Sequence, residues 1–248
     1  MYKDLFSKQS KLYAKYRPYY PEELYHKIYN LMEEHKIPYD IAWDCATGNG
    51  QVAIELAKRF KLVFATDISK NQILNAPKKK NIIYKIESVE ENSLKDKSIN
   101  LITVAQAFHW FNHEIFFKEI IRVSKKPAII AIWCYGLLNV EKEIFELFFD
   151  LYENKLGNYW EMERKLVENG YQNINFPFDI RREQFDISLK WNKEYFLGYL
   201  SSWSSVQKFI EKNHSNPLDE FKQRIDKYWK DDEFKIITFP IYFIYGIL

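Results

Sequence analysis

Ile41-Ala42-Trp43-Asp44-Cys45-Ala46-Thr47-Gly48-Asn49-Gly50 decides the fold of this chain. Its first half is an apolar run of strand character, and its second half is a turn punctuated by glycines. Gln51-Val52-Ala53-Ile54-Glu55-Leu56-Ala57-Lys58 follows with the spacing of a helix. Leu62-Val63-Phe64-Ala65-Thr66 is a second buried strand, and Asp67 stands at its tip. Strand, turn, helix and strand in this order make a nucleoside-binding unit. The glycines let backbone approach the ligand, and the carboxylate accepts from both ribose hydroxyls.

The alternation continues on both sides. Upstream, Tyr13-Ala14-Lys15-Tyr16-Arg17-Pro18-Tyr19-Tyr20-Pro21 is stopped by its prolines, and Pro21 opens a helix over residues 21–35. Downstream, Ser69 caps a short helix over residues 70–76, which Pro77 and Lys78-Lys79-Lys80 end. Strands are expected over residues 81–86, 99–105 and 128–133, with an amphipathic helix over residues 116–123. Such a rhythm predicts right-handed crossovers and a parallel sheet. Past Trp133 come a helix near residues 140–155, a loop-rich stretch and a strand near residues 178–185. An aromatic helical segment over residues 191–229 precedes a last strand over residues 236–245, where Pro240 is tolerable at an edge or bulge. A helical insertion between late strands sits over the C-terminal ends of the sheet, where open α/β folds bind ligands.

Composition narrows the function classes. With 248 residues and 47% apolar content the chain can bury a substantial core. Aromatic residues reach 18%, enough to fill the core and still line a pocket for an organic ligand. A formal charge of +2 gives no global drive toward nucleic acid or an anionic membrane. Cys45 and Cys134 sit in apolar runs, which reads as buried thiols in a reducing compartment. No signal peptide is visible, and the apolar run 236–248 is too short for a bilayer span. A cytoplasmic protein is the expectation.

A nicotinamide site needs G-x-G-x-x-G, and Ala46-x-Gly48-x-Gly50 has closer spacing. Asp44 to Gln51 instead resembles the first motif of class I S-adenosylmethionine-dependent methyltransferases, and Asp67 matches their ribose-binding acid. Glu87-Ser88-Val89-Glu90 is similar to the segment that frames the adenine. Val104-Ala105-Gln106-Ala107-Phe108-His109-Trp110-Phe111 is similar to the fourth strand and its following loop. Tyr13-x-x-Tyr16-Arg17-Pro18 and Ser201-Ser202-Trp203-Ser204-Ser205-Val206 resemble the small-molecule subgroup that includes trans-aconitate methyltransferase.

The resemblance implies a Rossmann-like doubly wound α/β fold. Its seven-stranded sheet is mostly parallel, with an antiparallel last strand and a helical lid insertion. Three parts are implied: an arm and helix over residues 1–36, a cofactor-binding core over residues 37–136, and a C-terminal part over residues 137–248 with a lid near 191–229. S-adenosyl-L-methionine is the implied cofactor. Asp44, Ala46, Gly48 and Gly50 would hold its methionine part, with Asp44 near the ammonium. Asp67 would bind the ribose, Ile68 would lie on the adenine face, and Val89 or Glu90 would meet the adenine edge. Gln106 would approach the methionine end. The family usually carries glycine where this chain has Ala46; a methyl group there crowds the cofactor if the backbone needs positive φ.

On the acceptor side, His109 begins the loop expected beside the transferable methyl. It reads either as general base for a hydroxyl or amine or as a packing residue. His109 and His113 stand at i and i+4, yet Asn112 caps the intervening helix start and no third ligand appears, so no metal is expected. Arg17 suits a carboxylate, with Tyr13 at the rim, and Trp110 and Trp203 are candidate pocket walls. Trp133 reads as core. The predicted activity is direct in-line methyl transfer to a small organic acceptor, in particular a carboxylic acid. The alternatives are an RNA or protein acceptor and a non-catalytic cofactor-binding homologue; the absence of a basic stripe disfavours nucleic acid, and a lid over residues 191–229 would exclude large acceptors. The reading leaves acceptor identity and oligomeric state open.

Overall fold

The computed structural model describes residues 15–248. Seven strands form one sheet: β1 (Ile41–Cys45), β2 (Leu62–Asp67), β3 (Ile82–Ile86), β4 (Ile99–Ala105), β5 (Ser124–Tyr135), β6 (Ile180–Asn192) and β7 (Phe234–Ile247). Their order is β3-β2-β1-β4-β5-β7-β6. Pairs from β3 to β5 are parallel, and β7 runs antiparallel to both neighbours. The chain winds outward from β1 through β2 to β3, then returns to place β4 on the other side of β1. That reversal opens a crevice beyond the tips of β1 and β4, where ligands of open α/β sheets sit.

The strand period of two sorts the core into two faces. Ala42, Leu101, Ile129, Ala131, Trp133 and Tyr135 point to one side, where they meet α1 (Glu22–Glu34) and α2 (Gln51–Leu56). Trp43, Cys45, Ile102, Val104, Ile132 and Cys134 point to the other, against α4 (His113–Val123). α3 (Lys70–Asn75) follows β2 and is capped by Ser69, whose Oγ accepts from Gln72 N at 3.3 Å. α5 (Lys142–Phe149) runs into a π-helical turn over Asp150–Lys155. The stretch expected to be loop-rich also contains α6 (Arg164–Glu168), too short to leave a period in the sequence.

β6 and β7 are longer than their apolar patterns predicted. Arg181, Arg182, Glu183 and Lys190 interrupt β6, but β6 lies at the sheet edge and pairs with β7 from Ile180 to Asn192. Edge position lets charged side chains face water without breaking the ladder. Pro240 lies inside β7, opposite Asp186. The segment between these strands forms α7 (Lys193–Ser201), α8 (Ser204–Asn213) and α9 (Pro217–Ile225), whose Phe196, Tyr199, Val206, Phe221 and Ile225 join the first core face. Among the described residues, no helix is long and apolar enough to cross a membrane.

Candidate functional site

Three left-handed residues turn the chain from β1 into α2: Ala46 at φ 49°, Gly48 at 56° and Gly50 at 81°. Glycine adopts this region freely, whereas an L side chain pays about 1–2 kcal/mol. Ala46 therefore holds a strained conformation, and the positive φ that makes its methyl group matter is present. Ala46→Gly is expected to raise the unfolding midpoint in denaturant by up to about 1 kcal/mol of stability, the relieved strain less the extra chain entropy of glycine. A Cβ on Gly50 would fall 2.5 Å from Tyr84 Oη, while one on Gly48 would meet nothing within 4 Å. The space over Gly48 is where backbone can approach a ligand.

Two carboxylates organise this turn. Asp44, 1% exposed, pairs in register with Thr103 of β4. It accepts from Thr103 Oγ1 at 2.8 Å, from Thr47 Oγ1 at 2.5 Å and from the Ala53 backbone. Burial still pushes its carboxyl up to about 6, with Asp67 adding to the shift, although these donors oppose it. Asp67 accepts from Gly48 N and Ser69 N, both at 2.8 Å, and so ties the turn to the tip of β2. Beside it Ile68 is 41% exposed, an apolar side chain at the surface just past the tip of β2.

Further loops close the crevice. Val89 is buried in the second core face, and Glu90 accepts from Asn112 N at 3.0 Å. Asn112 in turn caps α4 by accepting from Ile115 N, which leaves His109 in the preceding turn. Gln106, itself at φ 55°, bridges the tips of β4 and β5: Tyr135 N donates to its Oε1 at 2.8 Å. Its amide nitrogen donates back to Tyr135 O at 3.4 Å. On the outer side, α1, α2 and α3 border an open cleft of about 730 Å³ that shares Asn49 and Gly50 with the turn.

A second recess, partly open to solvent and with room for about 50 Å³, brings together Arg17, Gln106, His109, Trp110 and Trp203. All were candidates from the sequence; Tyr13 lies outside the described residues. Trp160, Glu161, Arg164 and Ser204 complete the lining. No pattern pointed to Trp160, Glu161 or Arg164, because they belong to the irregular stretch around α6; the aromatic surplus was their only signal.

Arg17 donates to Tyr135 Oη at 2.8 Å and to Ser202 O at 3.4 Å, over the Tyr199 ring. A Cβ on Gly198 would overlap the Tyr16 ring. Glycine in α7 therefore lets the arm that carries Arg17 lie close. Arg164 donates to Tyr152 Oη at 3.3 Å and lies over Trp160. It is near enough to Arg17 for the two charges to oppose each other. Glu161 pairs with Lys208. Trp160 and Trp203 pack with centroids 5.1 Å apart.

His109 is 7% exposed, and its Nδ1 lies 3.1 Å from Tyr171 Oη. Burial, then Arg164 and His113, lower its pKa to about 3, so the ring is neutral at physiological pH. Among the described residues, no cluster of three or more His, Cys, Asp or Glu is placed to hold a metal.

Comparison with known proteins agrees with this geometry. Residues 43–132 match the family model described as a methyltransferase domain. A Dictyostelium discoideum protein named as a methyltransferase is 35% identical over 97% of this chain and 94% of its own length. A Schizosaccharomyces pombe protein named as an uncharacterized methyltransferase is 26% identical over 79% of each chain. A solved structure from Anaeromyxobacter dehalogenans, described as a type II methyltransferase, superposes with a TM-score of 0.82 at 31% identity. It covers 93% of this chain and 97% of that one.

Proposed function

This chain belongs to the class I S-adenosylmethionine-dependent methyltransferases, and we propose that it methylates a small organic acid by direct in-line transfer. When bound, S-adenosylmethionine supplies a methyl group already activated by its sulfonium. The residues present fit that cofactor: open space over Gly48, a carboxylate at the tip of β2 and the exposed flank of Ile68 suit a nucleoside. Asp67 receives the ribose hydroxyls, Ile68 lies against the adenine, and Val89 and Glu90 border its edge. Asp44, Ala46, Gly48 and Gly50 shape the seat of the methionine part. The chain's own work is to position the acceptor and exclude water.

The observation that carries the acceptor class is the pair Arg17 and Arg164 in one cavity walled by Trp110, Trp160 and Trp203. Two guanidiniums in one recess, whose Glu161 carboxylate is paired with Lys208, favour an anion, and flat aromatic walls suit an organic one. A carboxylate is ionised at neutral pH and needs no base. His109, neutral and hard to protonate, then orients and does not take a proton. A site of this size is also a poor fit for RNA or a folded protein.

Calorimetry with S-adenosylmethionine tests the cofactor seat, and methyl-donor consumption over a panel of small carboxylic acids tests the acceptor. No binding at millimolar cofactor would remove the reading. Arg164→Met is expected to raise the acceptor KM about 10–100-fold, the worth of a charged hydrogen bond, while cofactor affinity stays unchanged. His109→Asn is expected to lower kcat by less than about tenfold. A loss in the roughly 10²–10⁴ range typical of a missing general base would assign His109 a proton-transfer role instead.

A further inference from the structure

Tyr152 does not line the recess, yet three of the side chains that do so meet it. It is 2% exposed and stands in the π-helical turn that follows α5. There Leu156 N donates to Leu151 O at 3.0 Å, one residue farther back than in an α-helix, and such turns recur at functional sites. The Tyr152 ring centroid lies 4.9 Å from that of Trp160 and, edge to face, 5.8 Å from that of Trp203. Its backbone carbonyl accepts from the Trp160 indole N–H at 3.0 Å. Its hydroxyl meets Arg164 Nε at 3.3 Å and the Glu168 carboxylate on the other side. An aromatic wall and a guanidinium thus hang on one buried residue.

The direction of these bonds follows from what each group can do. A guanidinium N–H only donates, so Tyr152 Oη is the acceptor toward Arg164. The single hydroxyl hydrogen then goes to Glu168 Oε1. Burial pushes the Tyr152 hydroxyl well up, so it keeps that hydrogen at neutral pH. Held through Nε, Arg164 has both Nη groups left over. Neither has a hydrogen-bond partner among the described residues, and Arg164 lines the recess. Two Nη groups side by side match the two oxygens of a carboxylate.

We propose that Tyr152 is a positioning residue for the methyl acceptor. The chain from Arg164 Nε–H through Tyr152 Oη–H to Glu168 sets the guanidinium so that its paired Nη groups meet the acceptor's carboxylate end on. The carbonyl of the same residue sets the Trp160 ring, against which the rest of the acceptor packs. The acceptor half of this statement rests on the recess being the acceptor site; the hold on Arg164 does not.

The hold is read from proton–nitrogen spectra of the full chain with nitrogen-labelled arginine, without cofactor or acceptor. The Arg164 Nε–H signal, identified by its loss in Arg164→Met, is expected to exchange slowly with water at neutral pH. In Tyr152→Phe, which keeps the ring and the carbonyl, exchange should quicken about tenfold or more. Exchange like that of a free side chain in the unsubstituted protein overturns the proposal, and so does an equally slow signal in Tyr152→Phe. The anion end is read with benzoate, a flat carboxylate, titrated by tryptophan fluorescence with S-adenosylhomocysteine present. Tyr152→Phe should bind it about tenfold more weakly at unchanged S-adenosylmethionine affinity. In an Arg164→Met background the same change should add nothing. A mere packing role would weaken both backgrounds alike, and that result, like equal affinity in the unsubstituted protein and Tyr152→Phe, overturns the proposal. No benzoate binding to the unsubstituted protein would remove the acceptor half together with the acceptor reading of the recess. None of these results touches methyl transfer itself, which stands or falls on cofactor binding by calorimetry.

Discussion

Asp67→Ala is expected to weaken S-adenosylmethionine binding by about 10²–10⁴-fold. An ionised carboxylate that accepts from two ribose hydroxyls makes two charge-assisted bonds, each worth about 1.5–3 kcal/mol. Every 1.4 kcal/mol is about a factor of ten in Kd. The same side chain holds Gly48 N and Ser69 N, so its loss also slackens the turn that shapes the methionine seat. Asp67→Asn keeps one carbonyl oxygen and should fall between the two. Calorimetry on the three proteins decides it. An alanine variant that binds within a few-fold of the unsubstituted protein would remove the ribose role from Asp67.

Asp44→Ala is expected to be the most destabilising single change near the site, by about 3 kcal/mol or more. It leaves the hydroxyls of Thr47 and Thr103 and the Ala53 N–H without their common acceptor in a dry place. The pH dependence carries a sign that can be checked. The folded carboxyl is raised to about 6 from an ordinary value of 3.8. Protonated Asp44 therefore favours the folded state. That contribution is fully present below pH 3.8, fades as pH rises, and is gone above about 6. On the linkage scale of about 1.4 kcal/mol per unit, it is on the order of 3 kcal/mol. Asp44→Asn should keep most of the hydrogen bonding and abolish this slope, as denaturant titrations at a series of pH values will read.

These two acids also mark what could be read from the chain. β1, the glycine turn, β2 and Asp67 form one contiguous unit, so hydrophobic period and turn chemistry sufficed to place them. β4 was equally legible, being apolar on both faces. Thr103 was not, because its meeting with Asp44 depends on the register of β1 against β4, which no local pattern encodes. Arg164 and Trp160 lie on a short helix and its approach, where packing and not periodicity sets the backbone. Tyr171 was invisible for a sharper reason. Only a left-handed turn brings it to His109, and nothing in a tyrosine announces positive φ.

The cavity of about 50 Å³ has a kinetic consequence. Sites for organic ligands span roughly 300–1,000 Å³, so this recess must widen to seat an acceptor, by movement of the Trp160–Trp203 wall or the Arg17 arm. Such motions take microseconds to milliseconds and often set turnover in place of the chemical step. With a good acceptor, kcat should then fall as solvent viscosity rises and respond weakly to isotopic substitution of the transferred methyl. Gly198→Ala, which crowds Tyr16 and loosens the arm, should speed product release even as it weakens acceptor binding. The narrow aromatic recess would be a brake on the enzyme as much as a source of its selectivity.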